Sequence, residues 1–153
     1  MILHKDIDSL KATEQLAKVI ALQLRGGEVI ELVSDVGGGK TTFTKFLVSA
    51  LGSSDVVSSP TFTVNKIYRS PLATIYHYDF YRLSDPNYVK EALAENIQDS
   101  SAITIIEWGG LVDDILPKDR LKITIQKHPN RESSRTITIE TTDQNSYIAE
   151  AIQ

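Results

Sequence analysis

The chain has no cysteine, which removes disulfides, thiol nucleophiles and thiolate zinc sites at once and fits a reducing cytoplasm. It has no long hydrophobic run either. No stretch approaches the roughly 20 apolar residues that span a bilayer. The start, Met1-Ile2-Leu3-His4-Lys5-Asp6, lacks the apolar region of a secretory signal, so no membrane contact is expected. Positive charge is in deficit: 16 lysines and arginines stand against 20 aspartates and glutamates, a net charge of −4, and the cations are scattered. Such a surface repels nucleic-acid phosphates, and tight direct binding of DNA or RNA is not expected. The three histidines, His4, His77 and His128, are not clustered, so no zinc site is readable. Serine, histidine and carboxylates fall into no triad-like pairing. Repeats, low-complexity tracts and linkers are also lacking. A length of 153 residues then suits one domain, residues 1–153, with a real core.

What is present begins with Ser34-Asp35-Val36-Gly37-Gly38-Gly39-Lys40-Thr41-Thr42. It follows the apolar run Val29-Ile30-Glu31-Leu32-Val33 and opens a helix-like stretch from Thr42 to Val48. Strand, glycine-rich turn, Lys-Thr and helix is the arrangement of a phosphate-binding loop. Successive N–H groups in such a turn make a concave anion site, and the helix N-terminus adds partial positive charge behind them. The glycines let the backbone approach phosphate oxygens. Lys40 is expected on the β- and γ-phosphates and the Thr41 hydroxyl on Mg²⁺, with Asp35, Val36, Gly37, Gly38, Gly39 and Thr42 completing the nucleotide contacts. One position departs from G-x-x-x-x-G-K-[ST]: the first glycine is Ser34. The bland alternative is a glycine-rich turn with a chance Lys-Thr.

The rest of the chain reads as α/β. Ser9 is placed to cap a first helix that Gly26-Gly27 stops. Glu28 to Val33 reads as a buried strand and Lys40 to Leu51 as a helix capped by Gly52. Thr63 to Tyr68 and Ala73 to Tyr78 read as strands, antiparallel because their connection is short. A helix is expected over about Asn87 to Glu95, capped by Ser84 or Asp85. Ala102-Ile103-Thr104-Ile105-Ile106 reads as a strand covered on both faces, followed by a short helix from Leu111 to Leu116. Leu121 to Lys127 and Arg135 to Thr141 read as a hairpin turning through His128 to Ser134. Asp143 is the expected cap of a peripheral last helix, Gln144 to Ile152. The expected architecture is a three-layer P-loop NTPase-like domain with a mixed parallel and antiparallel central sheet.

A phosphate loop needs an acidic partner at the end of a second buried strand to orient Mg²⁺ or the attacking water. Glu107 follows Ile103-Thr104-Ile105-Ile106, and Asp79 ends His77-Tyr78-Asp79. Mg²⁺ between phosphates keeps several waters and takes one or two carboxylates, so both belong to the candidate metal shell with Thr41. Lys40, Glu107 and Asp79 are the candidate catalytic residues. Ser59-Pro60-Thr61-Phe62 lies where phosphate-sensing segments often lie, although pattern alone also allows a plain turn. His77, between Tyr76 and Tyr78, reads as packing rather than as a base. Trp108 reads equally as a core aromatic or as part of the site.

Together these residues resemble the TsaE family, small bacterial P-loop ATPases needed to make threonylcarbamoyladenosine in tRNA. The resemblance runs from about Gly27 to Leu116. The family carries D-L-G-A-G-K-T-T, here Asp35 to Thr42. It carries S-P-T-F, kept at Ser59 to Phe62, and H-x-D-x-Y-R, kept at His77, Asp79, Tyr81 and Arg82. Its I-E-W is kept at Ile106-Glu107-Trp108. The resemblance implies ATP and Mg²⁺, a switch-like role for Ser59 and Thr61, and Trp108 close to the nucleotide. It also implies action through a complex with the TsaB–TsaD pair, in which TsaD transfers the threonylcarbamoyl group and ATP hydrolysis by TsaE supports repeated turnover. An acidic chain then meets tRNA only indirectly, through those partners. Two departures stand out: Ser34, and Gly109-Gly110 after Trp108, where relatives often have proline and an acidic residue.

Two other readings remain open from sequence. One is a nucleotide-gated binding module whose hydrolysis is incidental. The other is a small-molecule kinase, disfavoured because the only compact arginine-bearing loop, Arg131 to Arg135, lies in a late hairpin rather than over the phosphates. Arg82 is the nearest candidate for a second cation at the γ-phosphate. Adenine rather than guanine follows from the resemblance alone.

Overall fold

The computed structural model describes residues 1–153. Its seven strands are β1 (Ile2–Ile7), β2 (Val29–Val33), β3 (Asn65–Arg69), β4 (Thr74–Asp79), β5 (Ala102–Glu107), β6 (Leu121–His128) and β7 (Arg131–Glu140). They form one sheet in the order β1-β7-β6-β2-β5-β4-β3. The centre is parallel, with β2 paired to β5 and β6, and β4 to β5. Antiparallel strands close both sides, β3 on β4, β7 on β6 and β1 on β7. The mixed α/β sheet expected from sequence is the one found.

The central strands are central because both faces are apolar. All six residues of β5 are buried. Its alternation sends Ile103 and Ile105 to one core and Ile106 to the other. The larger core lies under α1 (Leu10–Gln23), α2 (Lys40–Ala50) and α4 (Ser146–Glu150). The smaller packs Val29, Tyr78, Phe80 and Ile106 against Leu93 of α3 (Asn87–Gln98), with Val112 and Leu116. Those are the three layers. No helix is long and apolar enough to cross a membrane.

Helix starts follow local chemistry. The Ser9 hydroxyl accepts from the Ala12 N–H at 3.2 Å and opens α1, as expected. Before α3, Asp85 accepts from the Asn87 N–H at 3.0 Å, and the helix runs three residues beyond the predicted Glu95.

Three expectations change, and one strand was not anticipated. The N-terminal residues form strand β1, whose edge position leaves it little apolar signal. The predicted helix from Leu111 is instead a 3-10 turn, Gly109–Val112. The β6–β7 turn is only Pro129-Asn130, so Arg131 to Ser134 belong to β7 rather than to a loop. The last helix is short but not peripheral, because Ile148 and Ala149 are fully buried. Ile105 lies at the middle of the larger core. Ile105→Ala is expected to cost about 2–5 kcal/mol and Ile105→Val about 0.5–1.5 kcal/mol, measured by urea unfolding.

Candidate functional site

Three parallel strands end level. Leu32 of β2 and Asp79 of β4 are both in register with Glu107 of β5, so the two carboxylates are cross-strand neighbours beside the loop that leaves β2. In that loop Gly37 (φ 70°) and Gly39 (φ 117°) take left-handed backbone, which side chains resist. Gly39 starts α2 without a side-chain cap, so the first N–H groups of α2 remain for an anion.

A cleft of about 240 Å³ opens over this point. Its wall gathers the loop from Val36 to Thr42, then Ser59, Thr61, Asp79, Glu107 and Trp108, and it adds Tyr81. Every sequence-predicted site residue lines it except Asp35, whose side chain is exposed and whose carbonyl alone takes part in the loop. Lys40 is buried. Its Nζ donates to Ser34 O at 3.1 Å, Ser34 Oγ at 3.0 Å and Asp35 O at 3.2 Å, and it lies 4.8 Å from the centre of the Trp108 ring. Burial holds the Lys40 ammonium below the ordinary lysine pKa, opposed by the charges of Glu107, Asp79 and Asp35.

Asp79 is satisfied from three sides. Its Oδ1 accepts from the Tyr81 N–H at 2.9 Å. Its Oδ2 accepts from Thr61 at 2.8 Å and Ser59 at 3.2 Å. The segment 59–62 is therefore no plain turn: its hydroxyls reach 20 and 18 residues ahead to a strand end. Phe62 itself points away, exposed, with the Arg82 guanidinium 4.8 Å over its ring. Arg82 is thus engaged outside the cleft.

Glu107 Oε1 accepts from His77 Nε2 at 2.9 Å, and both residues are buried. On its other side, His77 Nδ1 lies 3.3 Å from the Tyr68 hydroxyl, which in turn is 3.1 Å from Ser58 O. Lys66 bonds the Ser58 hydroxyl. A buried line of polar groups therefore runs from Glu107 to the start of the 58–61 segment. No buried side-chain oxygen is left unpaired, so Glu107 Oε2, which has no protein partner, meets the cleft. Reading His77 as mere packing missed this. The available signal was strand period two, which sets His77 on the same side as Asp79.

The hairpin supplies what motifs did not. Arg135 Nε donates to Gly38 O at 3.2 Å, and a Cβ built on Gly37 would lie 3.8 Å from Lys127 Nζ. Both cations stand beside the loop, but neither lines the cleft. A second cavity of about 450 Å³ lies on the far side of the loop. It shares Gly38, Gly39 and Thr42 with the first and is walled by Leu10, Thr13, Arg135 and Ile137. Two residues are in left-handed backbone without being glycine, Val64 (φ 66°) and Trp108 (φ 57°). One accepts the Asp79 N–H through its carbonyl at 2.9 Å, and the other directly follows Glu107.

Comparison with known proteins points to one family. The model of one family, "Threonylcarbamoyl adenosine biosynthesis protein TsaE", matches residues 7–137. The tRNA threonylcarbamoyladenosine biosynthesis protein TsaE of Bacillus subtilis is 35% identical over 126 residues, covering 82% of this chain and 78% of that one. The protein of the same name from Treponema pallidum is 32% identical over 131 residues, covering 86% and 95%. The crystal structure of Bacillus subtilis YdiB superposes with a TM-score of 0.79 at 28% identity, over 98% of this chain and 93% of that one.

The His77–Glu107 pair makes a testable demand. His77→Phe keeps a ring in the core but removes the donor to a buried carboxylate, and it is expected to cost about 1–3 kcal/mol in urea unfolding. Tyr68→Phe loses one hydroxyl and is expected to cost about 0.5–1.5 kcal/mol. A His77→Phe protein as stable as the unsubstituted chain contradicts the pairing.

Proposed function

The chain belongs to the TsaE family, and from that membership we propose that it is a Mg²⁺-dependent ATP-binding and ATP-hydrolysing subunit serving the biosynthesis of N6-threonylcarbamoyladenosine in tRNA. In this reading residues 1–153 are one ATPase domain, working in the cytoplasm through a complex with TsaB and TsaD. The observation that carries the reading is the convergence of the loop Val36 to Thr42 with Asp79 and Glu107 in one cleft.

The residues fit the chemistry asked of them. Thr41, Asp79 and Glu107 offer only hard oxygen donors, the set suited to Mg²⁺, and two carboxylates match an ion that keeps most of its waters. Bound there, Mg²⁺ would supply charge stabilisation for the phosphates. The loop N–H groups and the N-terminus of α2 cradle the phosphate oxygens. Lys40 offsets the charge of the β- and γ-phosphates and, as water attacks the γ-phosphorus and the bond to ADP breaks, the charge that develops there. Ser59 and Thr61, already on Asp79, are set to exchange that partner for the γ-phosphate or its metal. Trp108 and Tyr81, with ring centres 4.8 Å apart, wall the cleft against water. The second cavity, continuous with the loop at Gly38, Gly39 and Thr42, takes the sugar and base between Leu10 and Ile137. Arg135 walls that second cavity and holds the Gly38 carbonyl, rather than sitting in a kinase-type lid over the phosphates.

Lys40→Ala is expected to abolish measurable Mg·ATP binding by calorimetric titration. Glu107→Ala and Asp79→Ala are expected to retain the fold and lose about 10- to 1000-fold in turnover, the scale of one lost electrostatic contact. Unchanged affinity in the first, or wild-type rates in a folded double variant of the carboxylates, contradicts the site.

Partner dependence is the further expectation. The cleft is open, and neither Arg82 nor Arg135 lines it. A docked protein that orders residues 58–61 and covers the phosphates fills both gaps. Phosphate release by the isolated chain is therefore expected to be slow and to rise markedly when the TsaB–TsaD pair is added. An isolated chain already at its maximal rate refutes this.

A further inference from the structure

The loop carries a side chain where the phosphate-loop pattern has its first glycine, and that side chain is not idle. The Ser34 hydroxyl donates to Asp35 O at 2.9 Å and accepts from Lys40 Nζ at 3.0 Å. An ammonium has three protons. Those of Lys40 have three acceptors inside its own loop, Ser34 O, Ser34 Oγ and Asp35 O. The hydroxyl is the only one of the three that belongs to a side chain.

Gly38 has a related peculiarity. Unlike Gly37 and Gly39, it is not in left-handed backbone, so its conformation is open to alanine. Space is what forbids one. A Cβ on Gly38 would lie 2.7 Å from Ser34 Cβ, closer still to Ser34 Oγ, and 2.9 Å from Asp35 O. Turning the hydroxyl away relieves only one of these contacts. At Gly37 and Gly39 the nearest atoms stand at 3.8 and 4.0 Å. Two of the loop glycines answer to the backbone, and the third answers to Ser34.

We propose that Ser34 and Gly38 are a coupled pair of positioning residues: the Ser34 hydroxyl tethers Lys40 to the floor of the loop, and Gly38 is glycine to leave that serine room. The proposal rests on the nucleotide reading above for its functional half. To meet a phosphate oxygen, Lys40 releases one loop partner, and the Ser34 hydroxyl, on a rotatable side chain, can turn away where the two backbone carbonyls cannot. The tether therefore lowers affinity for the triphosphate below what the same loop achieves without it.

The test separates hydroxyl from bulk. Ser34→Ala keeps the Cβ and removes the tether, and Mg·ATP affinity is expected to rise roughly 3- to 10-fold with no rise in the thermal midpoint. A serine with a merely structural role would lower both. Gly38→Ala is expected to lower the midpoint by roughly 3–10 °C and to weaken Mg·ATP at least about tenfold. Adding Ser34→Gly is expected to recover most of both losses, the Asp35 O contact being eased by a small shift, whereas adding Ser34→Ala is not. If Gly38→Ala does not fold alone, folding of the Ser34→Gly/Gly38→Ala protein is itself the rescue. Additive midpoints in that double variant overturn the pair. Unchanged or weaker binding by Ser34→Ala overturns the tether. An unsubstituted protein that takes up no Mg·ATP overturns the functional reading and the tether with it, while the midpoints still decide the pair.

Discussion

Two carboxylates stand at one level on neighbouring parallel strands, and the arrangement of the site follows from having to satisfy both. Asp79 and Glu107 are each about 3% exposed, in register. Buried carboxylates side by side are costly unless each has its own donors. The donors come from far apart in the chain. Asp79 draws on Ser59, Thr61 and the Tyr81 N–H, Glu107 draws on His77, and Lys40 places its charge near both. Satisfying two side chains therefore fixes the segment before β3, the turn after β4 and the loop after β2 relative to one another.

The sequence made some of this legible because the signals were local. Glycines followed by Lys-Thr, an apolar run ended by an acid, and Ser9 ahead of a helical stripe all act within a few residues, and each was found where it was expected. What stayed hidden depends on pairing between distant parts. β1 is an edge strand on β7 with most of its residues exposed or partly exposed, so hydrophobic alternation barely marks it. The hairpin extends to Pro129-Asn130 through polar, exposed positions, where ladder bonds continue after the apolar pattern has ended. A last helix was expected, but the five residues of α4 are too few to show a period, so the complete burial of two of them was not. His77 reads as packing because its two tyrosine neighbours name no partner, and only the strand period of two, which puts it on the face of Asp79, points toward the site.

The hairpin shows how far a motif-based reading reaches. The four family motifs end at Trp108, and nothing after it carries a signature. Yet β6 and β7 return to the phosphate loop, set Arg135 on the Gly38 carbonyl, and wall the second cavity with Ile137. Parallel pairing of β6 to β2 makes this inevitable, since it brings the last residues of β6 level with the start of the loop. Sequence distance from the loop is therefore no guide to distance in space.

Val64 and Trp108 are the only residues other than glycine in left-handed backbone, and each abuts one of the two carboxylates. Such a conformation costs on the order of 1 kcal/mol or more, most for a β-branched side chain such as valine. A selection for thermal robustness alone would drive both positions toward glycine or asparagine, and in doing so would loosen the backbone that holds Asp79 and unmake the aromatic wall beside Glu107. The ceiling on this protein's hardiness and the geometry of its cleft are thus written at the same two residues, so an engineer seeking a tougher variant would do better to leave them alone and work on the exposed faces of α1 and α3.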